Sequence, residues 1–268
     1  MRRFACAAAL MTLAVSAQGA QEVQDDGSYR TLVSVGVGRF TGDYGQAEDT
    51  TLDVLSLNAR WFFKRAEVQV SLPYLRIDGA ADVRWVDGQP VAVTDGLLPG
   101  DQRKESGLGD VVVRGEYYLH TGTSTSPWII GLVRVKLPTG SEARGLGTGA
   151  TDVETGIGLI QRHGPISWLA DVGYIFVGSD GGIDTRNELR LGAGASLPFG
   201  RDERSSSYVY FENRTNRFEG SDDRRTIAIG VSTALTEAKR VRLAASLFFG
   251  LSDASEDVGA YLTFGRRF

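Results

Sequence analysis

The strongest constraint in this sequence is a period of two, an apolar side chain followed by a polar or small one, held for about ten residues at a time and repeated twelve times between residue 29 and Phe268. A strand with that pattern puts one kind of residue on each face, so it needs surroundings that are apolar on one side and polar on the other. A soluble barrel meets the need by hiding its apolar face. A transmembrane barrel meets it by turning that face to lipid, where closure pairs every backbone N–H and C=O without any long apolar helix. The pattern predicts strands at 29–40, 52–63, 66–77, 108–119, 127–137, 151–162, 166–177, 185–197, 206–215, 224–235, 240–250 and 257–268. The count is even. Short connections alternate with long ones, of which 41–51, 78–107 and 138–150 are the longest, as expected of periplasmic turns and outer loops.

Ahead of the strands stands a secretory leader: Arg2 and Arg3, an apolar run from Phe4 to Val15, and small residues from Ser16 to Ala20. Cleavage is expected after Ala17, or at the latest after residue 20, leaving a periplasmic segment 18–28 and a barrel over 29–268. The run is too short to span a membrane as a helix. The single cysteine, Cys6, leaves with the leader, so a disulfide scaffold, a Cys-ligated metal and a Cys nucleophile are excluded together. Removing Arg2 and Arg3 from the 29 Lys and Arg leaves 27 against 33 Asp and Glu, a formal charge of −6 that disfavours nucleic acid as a partner.

Every second residue assigns the faces. In 151–162, Val153, Thr155, Ile157 and Leu159 oppose Asp152, Glu154, Gly156, Gly158 and Arg162. In 240–250, Val241, Leu243, Ala245, Leu247 and Phe249 oppose Arg240, Arg242, Ala244, Ser246 and Gly250. The first set of each suits lipid and the second a wet lumen, in which an arginine at position 246 should be tolerated. The soluble barrel would invert this burial. Trp61, Trp128 and Trp168, with Phe62, Phe63 and Phe268, fall at strand ends beside short turns, the placement of an interfacial aromatic belt. Pro127, Pro138, Pro165 and Pro198 sit at strand boundaries, and Pro73 is expected to mark a bulge or an early end of the third strand.

The final strand ends with Phe268 preceded by alternating Phe264, Leu262 and Ala260. It resembles the C-terminal signal that the outer-membrane insertion machinery recognises, with Arg266 departing from the pattern. Two further segments carry a narrower likeness: Ser106-Gly107-Leu108-Gly109-Asp110, and Lys136-Leu137-Pro138-Thr139-Gly140 followed by Gly147-Thr148-Gly149-Ala150-Thr151-Asp152. These resemble a family of outer-membrane transporters named for the meta-cleavage pathway of phenol degradation. The resemblance implies passage of small molecules across the bacterial outer membrane and leaves the cargo open.

On the lumen face the strands bring forward Asp110, Arg114, Glu116, Arg134, Lys136, Asp152, Glu154, Asp171, Arg186, Glu188 and Arg190, with Glu212 and Arg214 continuing the row. Opposite charges then meet across the wall. They can form a charged constriction selecting small polar or anionic solutes, or a salt-bridge ladder that stiffens the wall. Catalysis has little to stand on: the only histidines, His120 and His163, lie by short turns, there is no Gly-x-Ser-x-Gly elbow, and no spacing suits a metal or other cofactor. The sequence therefore predicts an all-β, antiparallel, twelve-stranded transmembrane barrel in outer-membrane lipid, passing small solutes, aromatic or anionic, down their gradient. The alternative is a closed structural barrel whose outer loops, above all 78–107 with Trp85, bind a partner.

Overall fold

The computed structural model describes residues 30–268 apart from 47, 81–82, 87–88, 93–101, 124, 179–184, 201–203, 219–220 and 236–239, with backbone alone for 80, 84–86, 89–92 and 102. The leader, the segment 18–28 and the side chain of Trp85 thus lie outside the described residues.

Among the described residues fifteen strands form: β1 (Thr31–Gly42), β2 (Thr50–Phe62), β3 (Ala66–Ala80), β4 (Val83–Val86), β5 (Gln89–Ala92), β6 (Gln102–Leu108), β7 (Val111–His120), β8 (Trp128–Leu137), β9 (Asp152–His163), β10 (Ile166–Phe176), β11 (Glu188–Phe199), β12 (Ser205–Arg214), β13 (Arg224–Ala234), β14 (Val241–Gly250) and β15 (Val258–Arg267). β1 to β3 and β7 to β15 each pair antiparallel along the wall, β3 with β7 across the intervening segment; β15 returns to β1, so the sheet closes, while β4 and β5 pair only with each other. β6 and β7 both pair with β3 and share one place in the wall, which gives a closed barrel of twelve strand positions. Closure leaves the wall itself without an open edge, the condition for a sheet in lipid, and among the described residues only β6 and the β4–β5 pair at the outer end keep a free side. Among the described residues no helix is long and apolar enough to cross a membrane.

The alternation decides which way the barrel is turned. Outward-facing apolar side chains stay exposed all round the wall, for example Val35, Leu57, Val133, Ile157, Val172, Leu191, Val209, Ile229, Leu243 and Leu262, while the alternate residues are buried. Lipid covers the first set. Trp61, Phe63, Trp168 and Phe268 are exposed at the end that carries Arg30, the C-terminus and the short turns, as a belt requires. At the other end Tyr174 and Phe176 stand edge to face, ring centroids 5.0 Å apart, and begin a second girdle. Arg266 points outward with its guanidinium 5.2 Å from the Phe268 ring, so a cation–π contact accommodates its charge at the rim.

Trp128 departs from the expected belt. It lies in phase with Ile130, Arg134 and Lys136 and packs inside the barrel edge to face against Tyr118, with centroids 5.9 Å apart, in a group with Ile160 and Leu169. Pro73 also differs from expectation: β3 runs straight through it. The irregularity is in the opposite strand, which breaks at Gly109 and Asp110 between β6 and β7. There Gly109 N–H donates to Pro73 O at 2.9 Å, and the N–H that proline lacks faces the break, where no ladder bond is lost. Much of 78–107, read as an outer loop, is sheet: β3 extends to Ala80, β6 returns from Gln102, and β4 and β5 make a separate hairpin.

Side chains fill much of the interior. On the arc from β12 through β15 to β3, Tyr208, Phe248, Tyr261, Phe40, Leu52, Val54, Leu75 and Ile77 are buried together. Phe40 and Phe248 lie 5.5 Å apart between centroids. Tyr261 lies across Gly36 and Gly38, where a Cβ would come within 2.1 and 2.3 Å of the ring or its hydroxyl, so glycine is required to seat it. Ser246 accepts a hydrogen bond from Tyr208 Oη at 2.9 Å and is buried. An arginine there, expected from the alternation alone to be tolerated, would displace packed rings.

Candidate functional site

The lumen-facing positions of β7 to β12 hold most of the buried charged residues, and there the alternation becomes a continuous network. Antiparallel register puts Arg134 beside Glu154 on β9 and Lys136 beside Asp152. Glu154 sits 2.8 Å from Arg134 and 2.7 Å from Arg190. Arg190 also meets Asp171 and approaches Glu212 at 3.6 Å; Tyr210 donates its hydroxyl to Asp171. Glu212 is 3.4 Å from Arg214, which reaches Glu188 at 3.8 Å. Arg217 joins Glu188 to Asp152 at 3.0 Å, and Lys136 closes the sequence at 3.1 Å from Asp152 and 3.5 Å from Asp110.

These groups are deep. Arg190 is 0% exposed, and Lys136 and Glu154 are 1%. An isolated charge at such burial is costly, and each here is offset by opposite charges on neighbouring strands. A second group lies on the lower wall: Arg114 meets Glu116, Arg60 lies 3.7 Å from Glu67, and Arg60 donates to Gln69 at 2.6 and 3.0 Å.

Of the residues expected on the lumen face, Asp110, Arg114, Glu116, Arg134, Lys136, Asp152, Glu154, Asp171, Glu188 and Arg190 are buried inside the barrel, and Glu212 and Arg214 extend the row. Arg186 is the exception. It precedes β11, is exposed, and its backbone N–H donates to Arg217 O at 2.7 Å. The strand begins three residues later than expected, at Glu188, so the alternation that holds for Glu188 and Arg190 does not reach it. Arg217 carries no periodic signal because it lies in a connection. Arg60 and Glu67 could have been found, since each is in phase with the buried face of its strand. His120 is exposed at a short turn, its Nε2 3.2 Å from Ser126 Oγ.

The outer mouth has its own charges. Arg224 and Glu256 pair at 3.0 Å beneath Tyr44, whose hydroxyl is pushed above its usual range by burial and by the nearby Glu256 charge. Asp257 is also raised, by partial desolvation and then by repulsion from Asp43, Asp49 and Asp253. Among the described residues no group of carboxylates and histidines could hold a metal ion.

Comparison with known proteins follows this geometry. The model of the family described as "MetA-pathway of phenol degradation" matches residues 18–268. None of the curated protein sequences matches the chain. An outer membrane channel from Pseudomonas putida F1 is similar in structure, with a TM-score of 0.65 at 16% identity over 91% of this chain and 99% of that one. The NanC porin follows with a TM-score of 0.57 at 7% identity over 88% and 100% of the two chains. The CymD monoaromatic hydrocarbon channel gives 0.50 at 10% identity over 99% and 95%. At these identities the likeness is one of fold.

Proposed function

Because this chain belongs to the MetA-pathway phenol-degradation family and closes as a twelve-position transmembrane barrel, we propose that it is a passive channel of the bacterial outer membrane for small molecules. The observation that carries the reading is the two-sided lumen. Arg134, Lys136, Arg190 and their carboxylates line one arc, and Phe40, Phe248, Tyr208 and Tyr261 fill the other. A small solute with an aromatic ring and an anionic end then has a partner on each side, the ring on the aromatic arc and the charge at the less deeply buried Arg134 and Arg214. A twelve-strand wall lies between filled eight-strand barrels and wide porins, so the path is narrow. The solved channels of similar fold agree with this reading, and the monoaromatic hydrocarbon channel among them agrees with an aromatic solute. The C-terminal Phe268, Phe264 and Leu262 all face outward, the side on which insertion machinery would read them.

The deep burial of Arg190 and Lys136 supports a second reading, a closed structural or surface-binding barrel. Swelling of liposomes that contain the folded protein separates the two. The channel reading expects benzoate-sized aromatic acids to enter faster than neutral sugars of equal mass. Liposomes no more permeable than protein-free ones would support the closed barrel.

A further inference from the structure

We propose that the segment 138–151 between β8 and β9 is an inward-folded latch that sets the size limit of passage, with Leu146 as its stopper and Asp110 as the residue that positions it. The inference rests on the channel reading. Its first support is the seat of Leu146. This residue belongs to a connection at the outer end, where a leucine would ordinarily meet water, yet it is 1% exposed and grouped with the lumen-facing Leu52, Leu75 and Ile77. A 3₁₀ turn over Glu142–Arg144 bends the chain there, with Leu146 N–H donating back to Ser141 O at 2.9 Å.

The second support is what holds the segment down. Asp110, which lies in the break between β6 and β7 and is buried, accepts Gly140 N–H at 2.9 Å on one oxygen and Thr148 N–H at 3.3 Å on the other. One carboxylate thus ties both ends of the inward bend, and Lys136, 3.5 Å away and also bonded to Thr148, balances its charge. Thr139 Oγ1 donates to Gly109 O at 3.1 Å and accepts Val111 N–H at 2.8 Å. Arg144 binds Glu105 at 2.7 Å and the carbonyl of Ser106. A Cβ at Gly147 would lie 2.4 Å from the Asp110 carboxylate, and one at Gly140 would lie 2.3 Å from Leu146 O. The Gly- and Thr-rich motifs around 106–110, 136–140 and 147–152 thus become the parts of one joint.

The joint is polar and reversible, whereas the stopper is apolar. Release of Asp110 frees the bend, withdraws Leu146 and widens an apolar constriction of the kind that closes by excluding water. Leu146 therefore acts on solute size, and Asp110 acts through it.

The test uses full-length protein with its barrel fold checked by heat-modifiable gel migration, reconstituted in planar bilayers and in liposomes loaded for swelling in neutral sugars of graded size. Leu146→Gly should raise unitary conductance roughly twofold or more and admit larger sugars. Asp110→Asn should produce the same wide level intermittently. Asp110→Glu, which keeps the charge, should restore part of the wild-type size limit, a readout that a purely structural role would not move. If Leu146→Gly fails to fold, Leu146→Ala carries the same comparison. A folded stopper variant with wild-type conductance and an unchanged sugar limit overturns the latch and leaves the channel reading standing. Absence of conduction and of swelling in wild type and variants alike overturns both.

Discussion

Replacing Arg190 with methionine measures how dry the lumen is. The guanidinium is fully buried, 2.7 Å from Glu154 and 3.6 Å from Glu212, and bonded to Asp171. Removing one member of a buried ion pair costs about 3–5 kcal/mol, whereas an exposed pair contributes roughly 0.2–1 kcal/mol. After Arg190→Met, Glu154 keeps Arg134 at 2.8 Å, Glu212 keeps Arg214 at 3.4 Å, and Asp171 keeps the Tyr210 hydroxyl. No carboxylate is left alone, which places the expected loss at the lower end, about 3 kcal/mol. Urea unfolding of the barrel in phospholipid vesicles, followed by tryptophan fluorescence, reads the difference. Adding Asp171→Asn to Arg190→Met should recover part of the loss, because it deletes a buried negative charge whose cation has gone. A single-variant loss below about 1 kcal/mol would refute the reasoning, since it would mean that water already screens these charges.

Leu243→Arg, on the exposed lipid-facing side of β14, should cost about 2–4 kcal/mol at mid-bilayer depth and depress insertion, read as the folded fraction in vesicles. Equal folding of variant and wild type would place this face elsewhere. Arg134→Gln with Lys136→Gln should move the reversal potential in a salt gradient towards cations, because Glu154, Asp152 and Asp110 remain. Glutamate at both positions would instead set carboxylates against those same groups and is expected to prevent folding. Asp257→Asn should stabilise the barrel near neutral pH: the folded-state carboxyl is raised, so its ionised form is disfavoured by folding, and stability is lost as pH rises through the folded value. The gain should vanish in acid below the ordinary aspartate range, where both side chains are neutral, and a gain unchanged by pH would assign the effect to something other than charge.

Much of the barrel was legible in its alternation because strand phase is a local property: a residue in phase with Leu243 faces lipid whatever the rest of the wall does. Twelve wall positions, the outward valines and leucines and the inward Glu154, Lys136 and Arg190 follow from that phase. Trp128 followed from it too, being in phase with Lys136, but its place at a strand end suggested a belt. The break at Gly109 and Asp110 was not legible, since a run from Leu108 to Leu119 keeps its period on either side of it. Nor was the filling of the lumen. Whether Ser246 meets water or Tyr208 depends on barrel width and on rings from other strands, which no single segment encodes. The inward bend at Leu146 is of the same kind, because its seat is assembled from β2 and β3, far away in sequence. Arg186 failed for the opposite reason, a phase extended past the point where the strand begins.

The central claim, a narrow passive path through a lumen that is charged on one side and aromatic on the other, is tested most directly by single-channel recording of the purified protein in a planar bilayer. The account predicts small, discrete conductance steps without any energy source, interrupted when a small aromatic acid is added to the bath. A folded, inserted barrel that passes no current at any applied voltage would contradict it.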